Sequence, residues 1–278
     1  MVSRMTFSIV ARSADGQSWG VAVASKFLAV GSVVPAAVAG IGAIATQAEA
    51  NVAYKGQALA HLDEGATAQV ALDRLLEEDD GREHRQVGLV DADGNAATHT
   101  GGECYDWAGG RTGPGVAVQG NILAGEQVVE QMMRAWEKSA DDPVLARRLL
   151  AALAAGDAAG GDSRGRQSAA LVVVREGAGY GGGDDVAVDL RVDDHADPVA
   201  ELERLLDLND LYLTASTDEE KVPVDDELRV ELDDRARQLG RADFAAWVGA
   251  ENYEMRVGDD WVDQKVLQIL RDQTTDLR

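Results

Sequence analysis

The chain has 278 residues, of which 45% are hydrophobic and 27% are charged, a composition typical of a globular protein with a large buried core. No apolar run approaches the roughly 18 residues that a membrane span requires. The formal net charge of −23 repels phosphate backbones and anionic headgroups, so we expect neither nucleic acid nor a membrane as a partner.

The excess of acidic residues also predicts the environment of the protein. Of the 26 basic residues, 21 are arginine and five are lysine. Because salt screens the self-repulsion of a strongly negative surface, we predict a halophilic cytoplasm and a loss of stability at low ionic strength. An unusually acidic mesophilic protein is the alternative. Cys104 is the only cysteine and residues 1–4 lack the apolar core of a signal peptide, which predicts a cytoplasmic location.

Pairs of predicted strands alternate with pairs of predicted helices over the first two thirds of the chain. In chain order we predict a hairpin at 6–23, a buried strand at 40–46, helices at 52–63 and 66–78, a hairpin at 86–100 around Asp93-Gly94, a strand at 115–119, helices at 126–138 and 143–155, a buried strand at 167–174 and an edge strand at 186–192. This α+β order favours stacked sheets with helices outside over a parallel βαβ fold.

The C-terminal part of the chain differs in composition from the first part. Residues 213–226 are rich in Ser, Thr, Asp and Glu and predict a linker. Residues 227–272 place apolar side chains at helical spacing and predict a small helical module. We therefore expect a main domain over residues 1–212 and a module over residues 227–278 that is too small to be very stable alone.

Several familiar catalytic motifs are absent from the sequence. It contains no Walker loop, HExxH or paired CxxC, and its Gly181-Gly182-Gly183 run lacks the spacing that a phosphate site requires. Nucleotide and zinc chemistry are therefore disfavoured. We expect neither a cofactor nor a metal.

A hydroxyl residue, Thr6, stands at the head of the first predicted strand, directly after an internal methionine, Met5. If translation starts at Met5 and that methionine is trimmed, the α-amino group of Thr6, with an ordinary pKa of about 8, can act as the base for its own hydroxyl. Lys26 follows the second strand, and its charge would lower the pKa of that amine. The alternative is that Thr6 only begins a strand and that Lys26 is a solvated lysine.

Seven segments of the chain together resemble one prokaryotic family. They are TFSIVAR, WGVAVASKFLAVGSVVP, GIGAIATQAEAN, RQVGLVDADGNAATHTG, WAGGRTGPGVAVQGNILAG, GGDSRGRQSAALVVV and VDLRVDDHADPVAELERL. In this order, over residues 5 to about 212, they resemble the family catalogued as domain of unknown function 1028, which has no established reaction. That family is grouped with the N-terminal-nucleophile (Ntn) hydrolases, so the resemblance implies a four-layer αββα sandwich and, by analogy, amide hydrolysis.

The resemblance also bears on the two ends of the chain. Family members usually begin with Met-Thr at the position of Met5 and Thr6, whereas this chain has four further residues before them. If those residues are retained, Thr6 has no free amine, and the one-residue mechanism requires a cut in the chain. The C-terminal module resembles a tail of some relatives that is similar to a peptidoglycan-binding module, a ligand that a halophilic archaeal cell would lack.

Other polar residues in the segments that carry the resemblance are candidates for the same pocket. The amides of Gln47 and Asn51, at the end of the third strand, would orient a substrate carbonyl or an oxyanion, or else begin a helix. Gln119 and Asn121 lie where a strand gives way to a helix, and would bind an oxyanion or a carboxylate, or else cap that helix. His99, at a strand end, is either a substrate-binding or a structural histidine.

Two arginines are further candidates for contact with substrate. Arg111 and Arg166 are surrounded by residues that permit close approach of the backbone, and a bidentate guanidinium suits a substrate carboxylate. Pairing with the many acidic residues is an equal alternative. Asp162 and Ser163 are candidates to support a catalytic amine through hydrogen bonds.

The leading functional hypothesis is an amidohydrolase that acts on a small amide or peptide-like substrate. Thr6 would be its nucleophile with its own amine as base, Lys26 would tune that amine, and Gln47, Asn51 or Asn121 would lie near the oxyanion. The competing hypothesis is a non-catalytic small-molecule-binding or scaffold protein that uses the same sandwich. In either case we expect a small-molecule ligand and a homo-oligomer.

Overall fold

The structure, a computed structural model, describes residues 6–275 of the chain. Within those residues it is a mixed α+β protein with eight α-helices and three antiparallel sheets, as the alternation of strand and helix pairs predicted. The chain divides into two compact units, one ending at Arg204 and the other beginning at Leu205. None of the helices in the described range is long and apolar enough to cross a membrane.

The first unit contains two sheets and the helices that pack against them. In chain order its elements are β1 (Thr6–Arg12), β2 (Ser18–Ser25), β3 (Pro35–Val38), β4 (Gly42–Ala48), α1 (Tyr54–Asp63), α2 (Ala68–Glu77), β5 (Arg85–Asp91), β6 (Ala96–Thr100), β7 (Gly109–Gly113), β8 (Val116–Asn121), α3 (Gln127–Lys138), α4 (Leu145–Ala158), β9 (Ser168–Arg175) and β10 (Val186–Val192). A further helix, α5 (Pro198–Leu213), follows them.

The larger sheet has six strands in the order β10-β9-β2-β1-β8-β7. Its central strands, β1 and β2, consist mainly of small and β-branched residues and are buried along almost their whole length, which suits strands covered on both faces. The glycine-rich strand β7 occupies one edge. Sequence patterns did not predict β7, because its GGRTG composition has low strand propensity and only pairing with β8 holds it extended.

The smaller sheet has four strands in the order β3-β4-β5-β6. The predicted Asp93-Gly94 turn joins β5 to β6, and Gly94 adopts the positive φ of 85° that favours glycine. Asp91 stabilises this turn, because its carboxylate accepts hydrogen bonds from the main-chain N–H groups of Asp93 and Asn95. The same carboxylate accepts from the N–H of Ala68, which begins α2.

The two sheets face each other across a core of valine and alanine side chains. Val10, Val23 and Val90 are fully buried there, together with Ala45 and Ala170. Helices α1 and α2 cover the other face of the smaller sheet, where Leu72 and Leu89 are among the buried residues. Helices α3 and α4 pack on β1, β2 and β8 of the larger sheet. The short side chains of the inter-sheet core allow the sheets to approach closely.

The second unit has a core of its own. Its elements are β11 (Lys221–Pro223), α6 (Asp226–Gln238), α7 (Phe244–Glu251), β12 (Trp261–Asp263) and α8 (Gln264–Thr275), and its buried side chains include Leu232, Trp247, Val262, Val266 and Leu270. The boundaries differ from those predicted. The segment 213–226 contains β11, which pairs with β12 and so belongs to the fold of this unit. Its polar composition resembled a linker because β11 is short and partly exposed.

A buried ion pair holds the second unit together. Arg256 is 6% exposed and donates to the Asp263 carboxylate at 2.9 Å, and Asp263 is 1% exposed. Burial alone would raise the pKa of Asp263, but hydrogen bonds from Ser216 and Arg256 leave that pKa below its ordinary value. Arg256 also donates to the main-chain oxygens of Asp210 and Leu211. The pair therefore joins the end of α5 to β12.

Replacing Arg256 by methionine is expected to destabilise the second unit by about 3–5 kcal/mol, because Asp263 would remain buried without its counterion. Urea unfolding and faster amide hydrogen exchange in α6, α7 and α8 would measure this loss. The control is Arg237→Met, which removes only exposed ion pairs and should cost less than about 1 kcal/mol. Equal effects of the two substitutions would contradict the prediction.

Candidate functional site

Three strand ends meet at one end of the larger sheet. Thr6, the first residue of β1, pairs with Asn121, the last residue of β8. On its other side the Thr6 Oγ1 lies 3.2 Å from the Oγ of Ser25, the last residue of β2. Thr6 and Ser8 share one face of β1, whereas Phe7 points to the other face and approaches Gly156 of α4. Thr6 and Ser8 therefore face the smaller sheet.

The smaller sheet presents a matching row of polar residues. Gln47 of β4 pairs with Gln86 of β5, and Gln86 pairs with Thr100 of β6. The Gln47 Nε2 donates to Gln86 Oε1 at 2.8 Å and to the Thr6 main-chain oxygen at 3.2 Å. The Gln86 Nε2 donates to the main-chain oxygen of Gly120 at 2.7 Å. Hydrogen bonds thus tie the two sheets together at this end.

The remaining bonds complete a buried set of side chains that we name the amide cluster: Ser8, Gln47, Gln86, Gln119 and Asn121. Ser8 Oγ donates to Gln47 Oε1 at 2.6 Å and accepts from Gln119 Nε2 at 2.7 Å. Asn121 Nδ2 donates to Gln86 Oε1 at 3.0 Å. All five are at most 1% exposed, and hydrogen bonds among them and to the main chain stabilise so polar an interior.

One atom of the amide cluster is unsatisfied. Gln119 Oε1 is buried and has no hydrogen-bond partner among the described residues. It lies against Gly88 of β5, where an added Cβ would come within 2.0 Å of it. The glycine is required here by close approach rather than by backbone conformation.

Thr6 itself is largely enclosed. Its side chain and main chain leave it 4% exposed, and its main-chain oxygen accepts from Gln47 and, at 3.5 Å, from Asn121. The predicted liberation of its amine concerns residues 1–5, which lie outside the described part of the chain. The Thr6 hydroxyl and the side-chain amides of Gln47 and Asn121 therefore lie close together at the start of β1.

Lys26 and Arg166 contact each other next to the end of β2, where Lys26 directly follows Ser25. The Lys26 main-chain N–H donates to Asp162 Oδ2 at 2.6 Å, and the Lys26 Nζ donates to the Arg166 main-chain oxygen at 3.2 Å. Asp162 is 7% exposed and forms an isolated bridge with Leu123, just beyond Asn121. The Arg166 guanidinium forms a bidentate pair with Asp157. The lysine ammonium is exposed and bonded to the 166 carbonyl.

Asn51 belongs to a different polar group, centred on Asp79. The Asp79 carboxylate accepts from Asn51 Nδ2 at 3.2 Å, from the Tyr54 hydroxyl at 2.8 Å and from Arg85 Nε at 2.9 Å. Arg85 is the largest cause of an Asp79 pKa well below the ordinary range. Burial, followed by the Asp79 hydrogen bond, raises the pKa of Tyr54. The Asn51 amide thus anchors the start of α1.

The two other predicted site residues, His99 and Arg111, form contacts elsewhere on the surface of the first unit. The His99 Nε2 lies 3.0 Å from the main-chain oxygen of Arg82. Arg111 donates to Glu126 at 3.0 Å and to Glu130 at 2.9 Å, so it links β7 to α3. The structure brings Thr6, Gln47, Gln119 and Asn121 together, and it places Asn51, His99 and Arg111 in other contacts.

Sequence reasoning did not identify Ser8, Ser25 and Gln86. A signal was present, because polar residues at alternate positions of a buried strand, such as Thr6 and Ser8, mark one face that avoids the apolar core. Gln86 directly precedes the apolar run that forms β5. The stacking of the two sheets determines which of these polar faces contact each other. The sequence of a single strand does not show that contact.

The second unit contains a separate cleft of about 530 Å³. Phe244 and Trp261 line it, together with Arg229, Asp233 and Asp259. The sequence analysis disfavoured the peptidoglycan-type ligand that the resemblance implies for this unit, and that expectation stays a prediction.

The fold and the site define an α+β protein in which two antiparallel sheets enclose a polar cluster at one end. The chain belongs to the family of unknown function DUF1028, whose sequence profile matches residues 6–202. This confirms the family resemblance of the seven segments. The crystal structure of protein SPO2555 from Silicibacter pomeroyi, described with the same family, is similar at 32% identity and a TM-score of 0.67, over 77% of this chain and 91% of that one. No curated protein matches this chain.

Proposed function

We propose that the β1 end of the first unit is the active site of an amidohydrolase of the Ntn type, acting on a small amide or peptide-like substrate, with Thr6 as nucleophile. The observation that carries the proposal is the Thr6 hydroxyl, which lies 3.2 Å from the Ser25 hydroxyl and beside the amide cluster instead of in the apolar core. The proposal includes the finer assignment of the fold as a four-layer αββα sandwich, with a helix pair outside each sheet.

In the proposed reaction, removal of the residues before Thr6 frees its α-amine. The amine takes the proton of the Thr6 hydroxyl as Oγ1 attacks the substrate carbonyl carbon, and that proton passes to the departing amine when the C–N bond breaks. Water then hydrolyses the ester formed on Thr6 and releases the carboxylic acid. Ser25 holds the Thr6 hydroxyl in position.

The amide groups take different parts in this reaction. Asn121 Nδ2 gives one hydrogen to Gln86 at 3.0 Å and makes only a weak 3.5 Å contact to the Thr6 oxygen, so its second hydrogen is assigned to the oxyanion. Gln47 and Gln119 are positioning residues that hold Thr6 and Ser8. For Lys26 to tune the amine, its ammonium must leave the Arg166 oxygen.

The proposal is tested with two forms of the protein, the full chain and a form that begins at Thr6, each verified by intact mass. We expect only the second form to hydrolyse amides in a small-metabolite extract followed by mass spectrometry. Thr6→Ala in that form should reduce turnover by about 1,000-fold or more, whereas Thr6→Ser should keep part of it. Unchanged turnover in Thr6→Ala, or none in the form beginning at Thr6, would contradict the proposal.

The burial of Thr6 favours one alternative function. At 4% exposure, and with its hydroxyl already bonded to Ser25, Thr6 is also suited to a purely structural part in a binding or scaffold protein. In that case a ligand would raise the melting temperature equally in the wild type and in Thr6→Ala, without turnover.

A further inference from the structure

A second polar site lies at the opposite end of β1 from Thr6. The turn at residues 13–17 follows β1 there, and the connection at 139–144 joins α3 to α4. A cleft of about 260 Å³ separates the two, and its lining includes Asp15, Asp141 and Arg148. It is smaller than the roughly 300–1,000 Å³ of sites for drug-sized ligands, so its occupant must be small.

A buried cation, Arg148, lines the cleft, and none of the described residues forms an ion pair with it. Arg148 is 6% exposed, and its guanidinium carbon lies 3.6 Å from the ring centroid of Trp136. Its Nη2 donates to the Trp136 main-chain oxygen at 3.2 Å, while its buried Nε has no partner among the described residues. No carboxylate in the part of the chain that the structure describes forms an ion pair with Arg148.

The missing counterion is unexpected in this protein. The chain carries 49 acidic residues against 26 basic ones, and burying an unpaired charge is costly. Burial also lowers the pKa of Arg148, and the Asp142 carboxylate acts in the opposite direction. A bound anion would offset the free-energy cost of removing the Arg148 guanidinium from water. The planar guanidinium can donate two parallel hydrogen bonds to a carboxylate.

The rim of the cleft has the opposite charge. Asp142 uses Oδ1 to accept from the Val144 main-chain N–H at 2.8 Å, and the exposed Asp141 carboxylate has no bonded partner within residues 6–275. Asp15 accepts from Ser13 and Gln17. A simple anion is repelled by this rim and a simple cation by Arg148, whereas a molecule carrying both charges satisfies both.

We propose that this cleft binds a small zwitterion, an α-amino acid, with its carboxylate on Arg148 and its ammonium between Asp141 and Asp142. The site is independent of Thr6 and does not depend on the hydrolytic function. It would bind free amino acid whether or not the protein hydrolyses amides.

The test uses L-alanine together with two molecules that each carry one of its charges, propionate and ethylamine. Isothermal titration calorimetry of the full chain at constant ionic strength should show alanine binding at least tenfold more tightly than either. Alanine binding no tighter than propionate would reduce the site to an anion site and overturn the proposal. Absence of alanine binding would overturn it as well.

Three variants assign the binding to this cleft. Arg148→Met should weaken alanine binding at least tenfold, whereas Arg134→Met, a change to an exposed arginine of α3, should leave it unchanged. Asp141→Asn should weaken alanine binding several-fold and leave propionate binding equal or tighter. Undiminished binding in Arg148→Met would overturn the proposal. If Arg148→Met does not fold, the exposed Asp141→Asn variant serves as the test. An unchanged preference for alanine over propionate in Asp141→Asn would also overturn the proposal.

Discussion

Replacing Asp79 by alanine is expected to destabilise the first unit by about 3 kcal/mol, the lower end of the effect of removing one partner from a buried ion pair. The side chains of Asp79 and Arg85 are 12% and 21% exposed, so water can only partly replace the lost carboxylate. The substitution also leaves the Tyr54 hydroxyl, the Asn51 amide and the Gly81 N–H without their acceptor. Urea unfolding at pH 7 measures the loss.

The effect of Asp79→Ala should depend on pH in a defined direction. Hydrogen bonds from Arg85 hold the folded-state pKa of Asp79 below its ordinary value of about 4. A carboxyl group with a lowered pKa stabilises the fold fully above its unfolded pKa and loses that contribution as the pH falls toward the folded pKa. The difference between wild type and Asp79→Ala should therefore be constant from pH 7 to pH 5 and smaller at pH 3.5.

Asp80 provides a matched control for this prediction. It is the next residue, it is exposed, and in the described structure it has no bonded partner. Asp80→Ala removes the same charge from the same loop and should change the free energy of unfolding by less than about 0.5 kcal/mol. If Asp80→Ala and Asp79→Ala cost the same, general charge repulsion and not the Asp79 hydrogen bonds sets the stability of this loop.

Much of the fold could be predicted from local sequence because most elements carry their own signals. The Asp93-Gly94 turn and the edge strand β10 both lie where local propensity placed them. Strands β3 and β7 were missed. β3 is a short edge strand, and β7 is rich in glycine, so each depends on a neighbouring strand for its extended conformation.

The site was predictable only in part, for a different reason. Gln47 and Asn121 lie 74 residues apart in the chain, and nothing in either local pattern shows that both donate to the Thr6 oxygen. Asn51 follows Gln47 by four residues but turns to Asp79, because the chain leaves β4 there and begins α1. Proximity along the chain was therefore a poor guide to membership of the amide cluster, which sheet stacking determines.

Replacing Gly88 by alanine, next to the amide cluster, is expected to destabilise the first unit by about 2–4 kcal/mol. The added Cβ would overpack the cluster and displace Gln119 from its hydrogen bond to Ser8. The added Cβ would lie 2.0 Å from Gln119 Oε1 and 2.4 Å from its Cδ. Gln119 is fully buried and bonded to Ser8, so it has no solvent-filled space into which to move. Urea unfolding measures the expected loss.

Two comparisons show whether that loss arises from the contact with Gln119. Gly56→Ala makes the same chemical change on the exposed face of α1, where nothing lies within 4 Å of the new Cβ, and should stabilise the protein by up to about 1 kcal/mol. In a Gln119→Ala background the clash is gone, so Gly88→Ala should then cost less than about 1 kcal/mol. An equal cost of Gly88→Ala in both backgrounds would mean that the β5 backbone, and not the amide cluster, requires a glycine at this position.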